Sequence, residues 1–357
     1  MAQSVYVYDS TIKDTVSKIR GVGRYLQLLR ENFPKWKYIG SDEFGSIPFD
    51  SVFINPFLNL VQPPLTLRRV AKYQIGIIYD LIPLKYPTHF PIGLKGNLNV
   101  FLNKLILKNY DLIITDSEYA KKDIVTMLNI PEEKVKVIYP TLPKIFKQTS
   151  DVRPKMLENT KKNLISTVSD LRSNYCLYVG DATWNKNLVN LAKAIKLANI
   201  SCVFVGKVFE KENIEQLKML KEVVNPWQQE LMDFVKEIDD DPRFILAGYI
   251  HDNELMKLYK QSYLNILLSR DEGFGFSFLE AATIGCPSIL SQISTFKETA
   301  KDCALFVQPD KPKAIAEKIK EIFGDDKLRM SIISKALERS KFFSSLRFVI
   351  SWEELLK

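Results

Sequence analysis

Two rhythms of apolar and polar positions alternate along the whole chain. Short runs rich in β-branched and aromatic residues, the composition of buried strands, are each followed by a longer stretch with apolar residues at helical spacing. SVYVYD (4–9), SVFINP (51–56), YQIGIIYDLIPL (73–84), DLIITDS (111–117) and VKVIYP (135–140) predict strands. GRYLQLLREN (23–32), with Tyr25, Leu26, Leu28 and Leu29 apolar, predicts a helix, as do NVFLNKLILKNY (99–110) and EYAKKDIVTML (118–128). From about Thr141 to Asn174 the rhythm stops: Pro140, Pro143 and Pro154 punctuate a stretch rich in Lys, Ser and Thr, which marks a domain boundary. A second series then begins. YCLYVGD (175–181), SCVFVG (201–206), RFILAGYI (243–250), YLNILLS (263–269), PSILSQ (287–292) and CALFVQP (303–309) predict strands. LVNLAKAIKLAN (188–199), WQQELMDFVKEI (227–238), NELMKLYKQS (253–262), FSFLEAATIG (276–285) and PKAIAEKIKEIF (312–323) predict helices.

Such β-α-β repetition belongs to parallel sheets covered by helices. The expected fold class is α/β, with two doubly wound parallel-sheet domains in tandem over 1–165 and 172–341. A length of 357 residues agrees with two cores rather than one. Ligands of such sheets bind at the carboxyl ends of strands, next to helix N-termini, and a cleft between two facing domains is the expected site.

Charge changes the picture for one half only. Residues 1–150 hold 20 Lys and Arg against 13 Asp and Glu, while residues 151–357 hold 30 against 29. The first half therefore suits an anionic partner: a membrane surface, a phosphate-bearing substrate or nucleic acid. No aromatic-basic module stands out, so nucleic acid is the least favoured. The helix around Lys95, Lys104 and Lys108 packs its apolar face on the sheet, the favoured reading, or lies on a membrane surface. Cys176, Cys202, Cys286 and Cys303 form no C-x-x-C pair and read as buried thiols of a reducing compartment. His89 and His251 are too few for a His-rich metal site. The first residues have no signal-peptide order, and no apolar run is long enough to span a bilayer. The expected location is the cytoplasm, with peripheral contact to the inner face of the membrane.

Candidate chemistry concentrates in SRDEGFGFSFLEAATIGCP (269–287). Glu272 ends a strand, Gly273 and Gly275 make a turn, and a helix follows. With Ser277 as N-cap, Glu280 falls at the third helical position, a capping box. The other reading is a ligand site, in which two acids take hydroxyl hydrogen bonds and helix amides between them take a phosphate. Gly21 and Gly23, ahead of a helix, allow a backbone approach to phosphate or simply a turn, and Arg24 is a phosphate contact or a surface charge. Asp80, after an apolar strand, orients an acceptor hydroxyl or serves as a turn acid. Asp239, Asp240 and Asp241 lie at the start of a strand, the wrong end for such a site, and read as a solvated loop.

EGFGFSFLEAATIGCP resembles the E-x7-E signature of the retaining glycosyltransferases of family 4, through Glu272, Gly273, Phe274, Gly275, Leu279, Glu280, Ala281, Gly285 and Pro287. GVGRY (21–25), IIYDLIPLKYP (77–87), YDLIITDSEYAKKDI (110–124), YVGDATWNKNL (178–188) and FILAGYIHDNELMKLYKQS (244–262) are similar to further segments of that family. ISWEELL (350–356) resembles its closing helix, and a helix over 342–357 can cross back onto the first domain. The resemblance implies a GT-B fold of two Rossmann-like domains facing a cleft. It implies that Glu280 holds a ribose and that Glu272 touches donor-sugar hydroxyls. Backbone amides of Phe274, Gly275 and Phe276 would line the sugar and phosphates, and Lys186 would meet the diphosphate, where the residue alone reads as a solvated loop lysine. Tyr79 stands where the family often has His, which argues against a histidine-assisted step, while Asn185 and Asp181 stand where it has basic residues, shifting the diphosphate toward Lys186, Arg24 or Arg270.

The resulting expectation is transfer of a hexose from a nucleotide diphosphate sugar, with retention, to a lipid-linked or growing glycan of O-antigen or capsule type. No metal or other cofactor is expected. GDP-mannose is the favoured donor, from the likeness of DLIPLKYP (80–87) to mannosyltransferases. The rivals are a nucleotide-sugar 2-epimerase of the same fold and an inactive partner subunit. A nicotinamide dehydrogenase is disfavoured, because GVGRYL lacks the third glycine and does not directly follow the first strand.

Overall fold

The computed structural model of the chain describes residues 4–12, 21–147, 174–220 and 225–357. Two compact units emerge, Met1–Pro143 with Phe343–Lys357, and Lys144–Phe342. The first break falls at Pro143, ahead of the expected end at 165, and the expected join at 166–171 lies outside the described residues.

In the first unit, strands β1 (Val5–Tyr8), β2 (Lys37–Ile39), β3 (Val52–Asn55), β4 (Tyr73–Ile77), β5 (Leu112–Thr115) and β6 (Val135–Val137) form one sheet. Its order is β2-β1-β3-β4-β5-β6 and every pairing is parallel. Helices α1 (Gly21–Asn32), α2 (Ile82–Lys85), α3 (Gly93–Ile106) and α4 (Glu118–Leu128) connect them. The bounds of α4 follow from its ends: the Ser117 side chain accepts from the Ala120 amide, and Asn129 stops the helix in the left-handed region at φ 52°. Ala120, Ile124 and Leu128 face the core at helical spacing.

The run 73–84, expected as one strand, breaks in two. β4 ends at Ile77, Asp80 Oδ1 accepts the Ile82 amide at 3.0 Å, and α2 follows with Pro83 in its first turn. Proline is tolerated there because it removes an N–H that a first turn leaves unbonded. The helix expected from 23 starts at Gly21, so Gly21 and Gly23 lie inside the first turn of α1 rather than before it. The C-terminal helix, Ser345–Leu355, belongs to this unit because its aromatic residues complete the unit's core. Trp352 is buried edge-on to Trp36 at 5.7 Å, and Phe348 packs on Tyr25 and Phe33.

The second unit carries β7 (Tyr175–Val179), β8 (Ser201–Val205), β9 (Phe244–Gly248), β10 (Leu264–Leu267), β11 (Ser288–Ser291) and β12 (Leu305–Val307). They form a parallel sheet of order β12-β11-β10-β7-β8-β9. Its helices are α5 (Leu188–Ala198), α6 (Lys211–Met219), α7 (Gln229–Ile238), α8 (Asp252–Gln261), α9 (Phe276–Ile284), α10 (Ser294–Ala300), α11 (Pro312–Gly324) and α12 (Asp326–Ser340). Leu188, Leu191 and Ile195 of α5 and Ile315, Ile319 and Ile322 of α11 are fully buried in one core with the strands. Each such side chain stabilises the unit by roughly 1.5–3 kcal/mol. All four cysteines are buried free thiols within this unit.

Candidate functional site

In the second sheet the chain winds outward from β7 to β8 and β9 on one side, and from β10 to β11 and β12 on the other. β7 and β10 are neighbours, so the loops at their carboxyl ends diverge and leave a crevice between them. The β7 loop carries Gly180, Asp181 and a tight turn over Trp184–Lys186. The β10 loop carries Ser269, Arg270, Asp271 and Glu272.

These two loops bring Lys186 and Glu272 together. Lys186 Nζ donates to Glu272 Oε1 at 2.5 Å, and Ser269 Oγ donates to the same oxygen at 2.9 Å. The Thr295 hydroxyl, in the first turn of α10, donates to the Glu272 carbonyl at 2.7 Å. Side-chain exposure is 20% for Lys186 and 14% for Glu272, enough for both to meet a ligand and too little for full hydration. Close by, burial and then the charges of Glu272, Asp181 and Glu230 push the Tyr178 phenol well above its ordinary pKa. Tyr178 stays protonated and donates to the Asp181 carbonyl at 2.5 Å.

The turn after Glu272 feeds α9. Gly275 precedes the helix at φ +92°, where a side chain is strained, and an added Cβ would stand 2.6 Å from a ring carbon of Phe296. Because Gly275 takes that place, α9 begins at Phe276, Ser277 is its second residue and not its cap, and Glu280 is fifth. The capping-box reading of Glu280 is thereby corrected. Glu280 is 4% exposed and its carboxyl accepts from Tyr259 Oη at 3.0 Å, a tyrosine of α8 that is itself buried. Phe274 is buried and packs edge-on to Phe276 at 5.4 Å, which leaves the backbone of 273–276 as the part of the turn able to face a ligand. Helix geometry points the first amides of α9, at Phe276 and Ser277, out of the N-terminus as anion donors.

Asn185 and Arg270 lie beside this group with their side chains engaged in fixing the loops. Asn185 is buried, accepts from Thr183 Oγ1 and donates to the Asp271 carbonyl at 3.1 Å. Arg270 stacks over Trp184, donates to the Trp184 carbonyl at 2.6 Å, and pairs with Asp310 at 3.2 Å and Glu230 at 3.9 Å. Burial raises the Glu230 carboxyl above its ordinary range, against the Val189 amide and Arg270, which lower it. Asn187, at φ 60°, ties the same loop to the Leu268 and Pro309 carbonyls.

Gly21, Gly23, Arg24 and Asp80 belong to the first unit, and the β7 and β10 loops to the second. Arg24 Nη1 donates to Gln27 on its own helix, and Asp80 is exposed and holds the turn into α2. Tyr79 donates to the Pro56 carbonyl at 2.7 Å. Asp241 is bound by Arg243 at the start of β9, the end of that strand remote from the site loops. Among the described residues no group of three or more His, Cys, Asp or Glu side chains could hold a metal ion, and no helix is long and apolar enough to cross a membrane.

Ser269, Thr295, Tyr259, Trp184 and Glu230 were not foreseen as part of this site. Ser269 and Thr295 carry a readable signal, since each follows the carboxyl end of a strand beside the crevice. Tyr259 and Glu230 carry none, because only tertiary packing brings α8 and α7 to these loops.

The chain is similar to known proteins over much of its length. O-antigen chain mannosyltransferase RfbU of Salmonella typhimurium is 27% identical over 256 residues, 71% of this chain and 62% of that protein. Serotype-specific mannosyltransferase WbdA of Escherichia coli is 38% identical over 322 residues, 83% of this chain and 36% of that one. The chain thus spans less than two thirds of the length of these curated relatives. Among solved structures, Anabaena Alr3699/HepE in complex with UDP aligns over 99% of both chains with a TM-score of 0.71 at 13% identity. A likeness at that identity establishes the fold, an α/β fold of the GT-B type. Residues 159–339, which contain Lys186, Glu272 and Glu280, match the family described as "Glycosyl transferases group 1", and the chain belongs to it.

Proposed function

We propose that the chain transfers a hexose, with retention of configuration, from a nucleotide diphosphate sugar to a glycan or lipid-diphosphate-linked acceptor in O-antigen-type polysaccharide synthesis. The observation that carries this reading is the Lys186 and Glu272 pair at the switch point of the second sheet, beside the α9 N-terminus and the buried Glu280. The diphosphate would take the Lys186 ammonium and the first amides of α9. Lys186 would then meet the negative charge that grows on the departing phosphate oxygen, where a fixed cation counts most. Glu272 would accept from hydroxyls of the sugar, and Glu280, held by Tyr259, from the ribose. With lysine and amides in that role, the reaction as proposed uses no resident metal. Mannose is the proposed sugar and GDP-mannose the proposed donor. Support comes from the relatives named as mannosyltransferases.

The test is a thermal-shift panel of UDP, GDP, dTDP and ADP, with and without EDTA, on the native protein, Glu280→Ala and Glu272→Gln. A ligand present at a hundred times its Kd stabilises the native state by about 2.7 kcal/mol. One diphosphate should raise the native melting temperature, EDTA should not change this, and Glu280→Ala should lose the shift. If no nucleotide shifts the native protein at saturating concentration, the donor-site reading is wrong. A shift by UDP and not GDP would overturn the mannose assignment alone.

A further inference from the structure

Helix α3 carries its apolar residues on the outside. Leu94, Leu98, Phe101 and Leu105 are 90, 57, 59 and 45% exposed. At 3.6 residues per turn these four positions share an arc of about 60° on a helix about 21 Å long. The opposite face is held inward by polar groups beside the buried Ile106. Asn103 is buried and its amide donates to the Leu60, Gln62 and Asn99 carbonyls at 2.8–3.0 Å. Asn99 donates to the Val61 carbonyl at 3.1 Å. Gly96 is also buried, against Ile92, and the asparagine bonds to the loop at 60–62 keep α3 from rolling to hide its leucines. The exposed stripe is a fixed feature of the surface.

The segment that carries it holds one sign of charge. From Leu81 to Tyr110 there is no acidic residue, while Lys95, Lys104 and Lys108 are exposed along α3 and the turn after it. By helical spacing Lys95 and Lys104 fall on opposite flanks of the stripe, each about 90° from its centre. Leu67, 64% exposed, adjoins the same end, where its carbonyl accepts from Asn109. An apolar stripe with lysines on both flanks is the arrangement of a helix lying in a bilayer interface, side chains in the acyl boundary and ammonium groups among headgroup phosphates. A protein partner would need acidic side chains to match the lysines and an apolar groove to match the stripe. An anionic lipid surface supplies both without a specific fit.

We infer that α3 is a membrane-docking surface that seats the chain on anionic lipid through Leu94, Leu98, Phe101 and Leu105, with Lys95, Lys104 and Lys108 at the phosphates. The inference rests on the first unit's surface and not on the proposed transfer reaction, because vesicle binding uses no nucleotide.

The test is co-sedimentation of the full chain with vesicles rich in phosphatidylglycerol and with vesicles of phosphatidylcholine, at low and high salt. The native protein should partition onto the anionic vesicles and be released by salt. Leu98→Ser with Phe101→Ser should lower the partition coefficient at least about tenfold. Lys95→Gln, Lys104→Gln and Lys108→Gln together should lower it about a hundredfold, at roughly fivefold per lysine. All changes are on exposed positions, so melting temperature and any nucleotide-induced shift should stay as in the native protein. A native protein that remains in the supernatant with anionic vesicles overturns the inference, as does partition untouched by the Ser variants. So does a concentration-dependent dimer in light scattering that the Ser variants abolish, since the stripe would then be covered by a second copy.

Discussion

The ion pair between Lys186 and Glu272 leads to an unequal outcome for its two partners. Glu272 occupies the ammonium that a diphosphate would need, at 2.5 Å. Replacing Glu272 by Gln removes that competing charge and the repulsion it exerts on an incoming phosphate. Replacing Lys186 by Met removes the binding cation itself. For stability, fully exposed pairs contribute about 0.2–1 kcal/mol, and removing one partner of a buried pair costs about 3–5 kcal/mol. With exposures of 20% and 14%, this pair lies between those limits. Either single change should therefore lower stability by about 1–3 kcal/mol, about 2–4 °C of melting temperature per kcal/mol for a unit of this size. The double variant should recover part of that loss, since no unpaired charge remains. Binding of the nucleoside diphosphate should move in opposite directions. Calorimetry should show Glu272→Gln binding about 3–10-fold tighter, the gain of about 0.6–1.4 kcal/mol expected when a partly exposed competitor is lost. Lys186→Met, alone or in the double variant, should bind at least about tenfold more weakly, the loss of a charge-assisted contact. Glu272→Gln should nevertheless lose transfer activity, because the sugar hydroxyls lose their carboxylate. If Glu272→Gln weakens the diphosphate as much as Lys186→Met does, the two side chains do not compete and the assignment of their roles is wrong.

Three further outcomes can be checked separately. Gly275→Ala forces a Cβ against the Phe296 ring at positive φ, and should cost about 1–3 kcal/mol in urea unfolding while abolishing the nucleotide-induced shift. The Glu230 carboxyl is raised by burial, so the folded state holds its proton more firmly than the unfolded chain, whose value is near 4.5. Its contribution to stability is therefore full below that value and is lost as pH rises above it, and Glu230→Gln should flatten the fall of melting temperature upward from pH 4.5. Cys286, pushed up to about 11 by burial, and Cys176 and Cys202, pushed well above their ordinary value by the same cause, should resist a thiol reagent at pH 8 in the native protein and react at once in denaturant.

The strands and larger helices were legible because buried parallel strands are nearly continuous apolar runs and their helices are amphipathic. What escaped has local causes. β2 is three residues long, and α6, α10 and α12 have mixed surfaces with weak contrast between faces. The E-x7-E stretch could be located, but the role of Glu280 turned on where α9 begins. That start is fixed by Gly275 against Phe296, a contact across 21 residues that no local pattern records. Arg270 shows the same limit. At the sequence level it is a basic residue beside the signature, whereas the fold commits it to Trp184, Glu230 and Asp310.

Helix α3 is the case in which the periodic pattern was visible and its direction was not. A stripe of Leu94, Leu98, Phe101 and Leu105 ordinarily predicts the buried face, because apolar area released from water is the larger free energy. Here the inward face holds Asn103 and Asn99, whose amides together bond the Leu60, Val61 and Gln62 carbonyls, beside the buried Ile106. Left unbonded, those loop carbonyls and asparagine amides would cost about 1–3 kcal/mol each, so several satisfied polar groups can outweigh leucines left in water. The water-facing leucines then remain a standing cost of the isolated chain. A surface that removes them from water without disturbing the asparagine bonds would turn that cost into binding energy, and among the described residues no other helix combines so continuous an apolar stripe with flanking lysines.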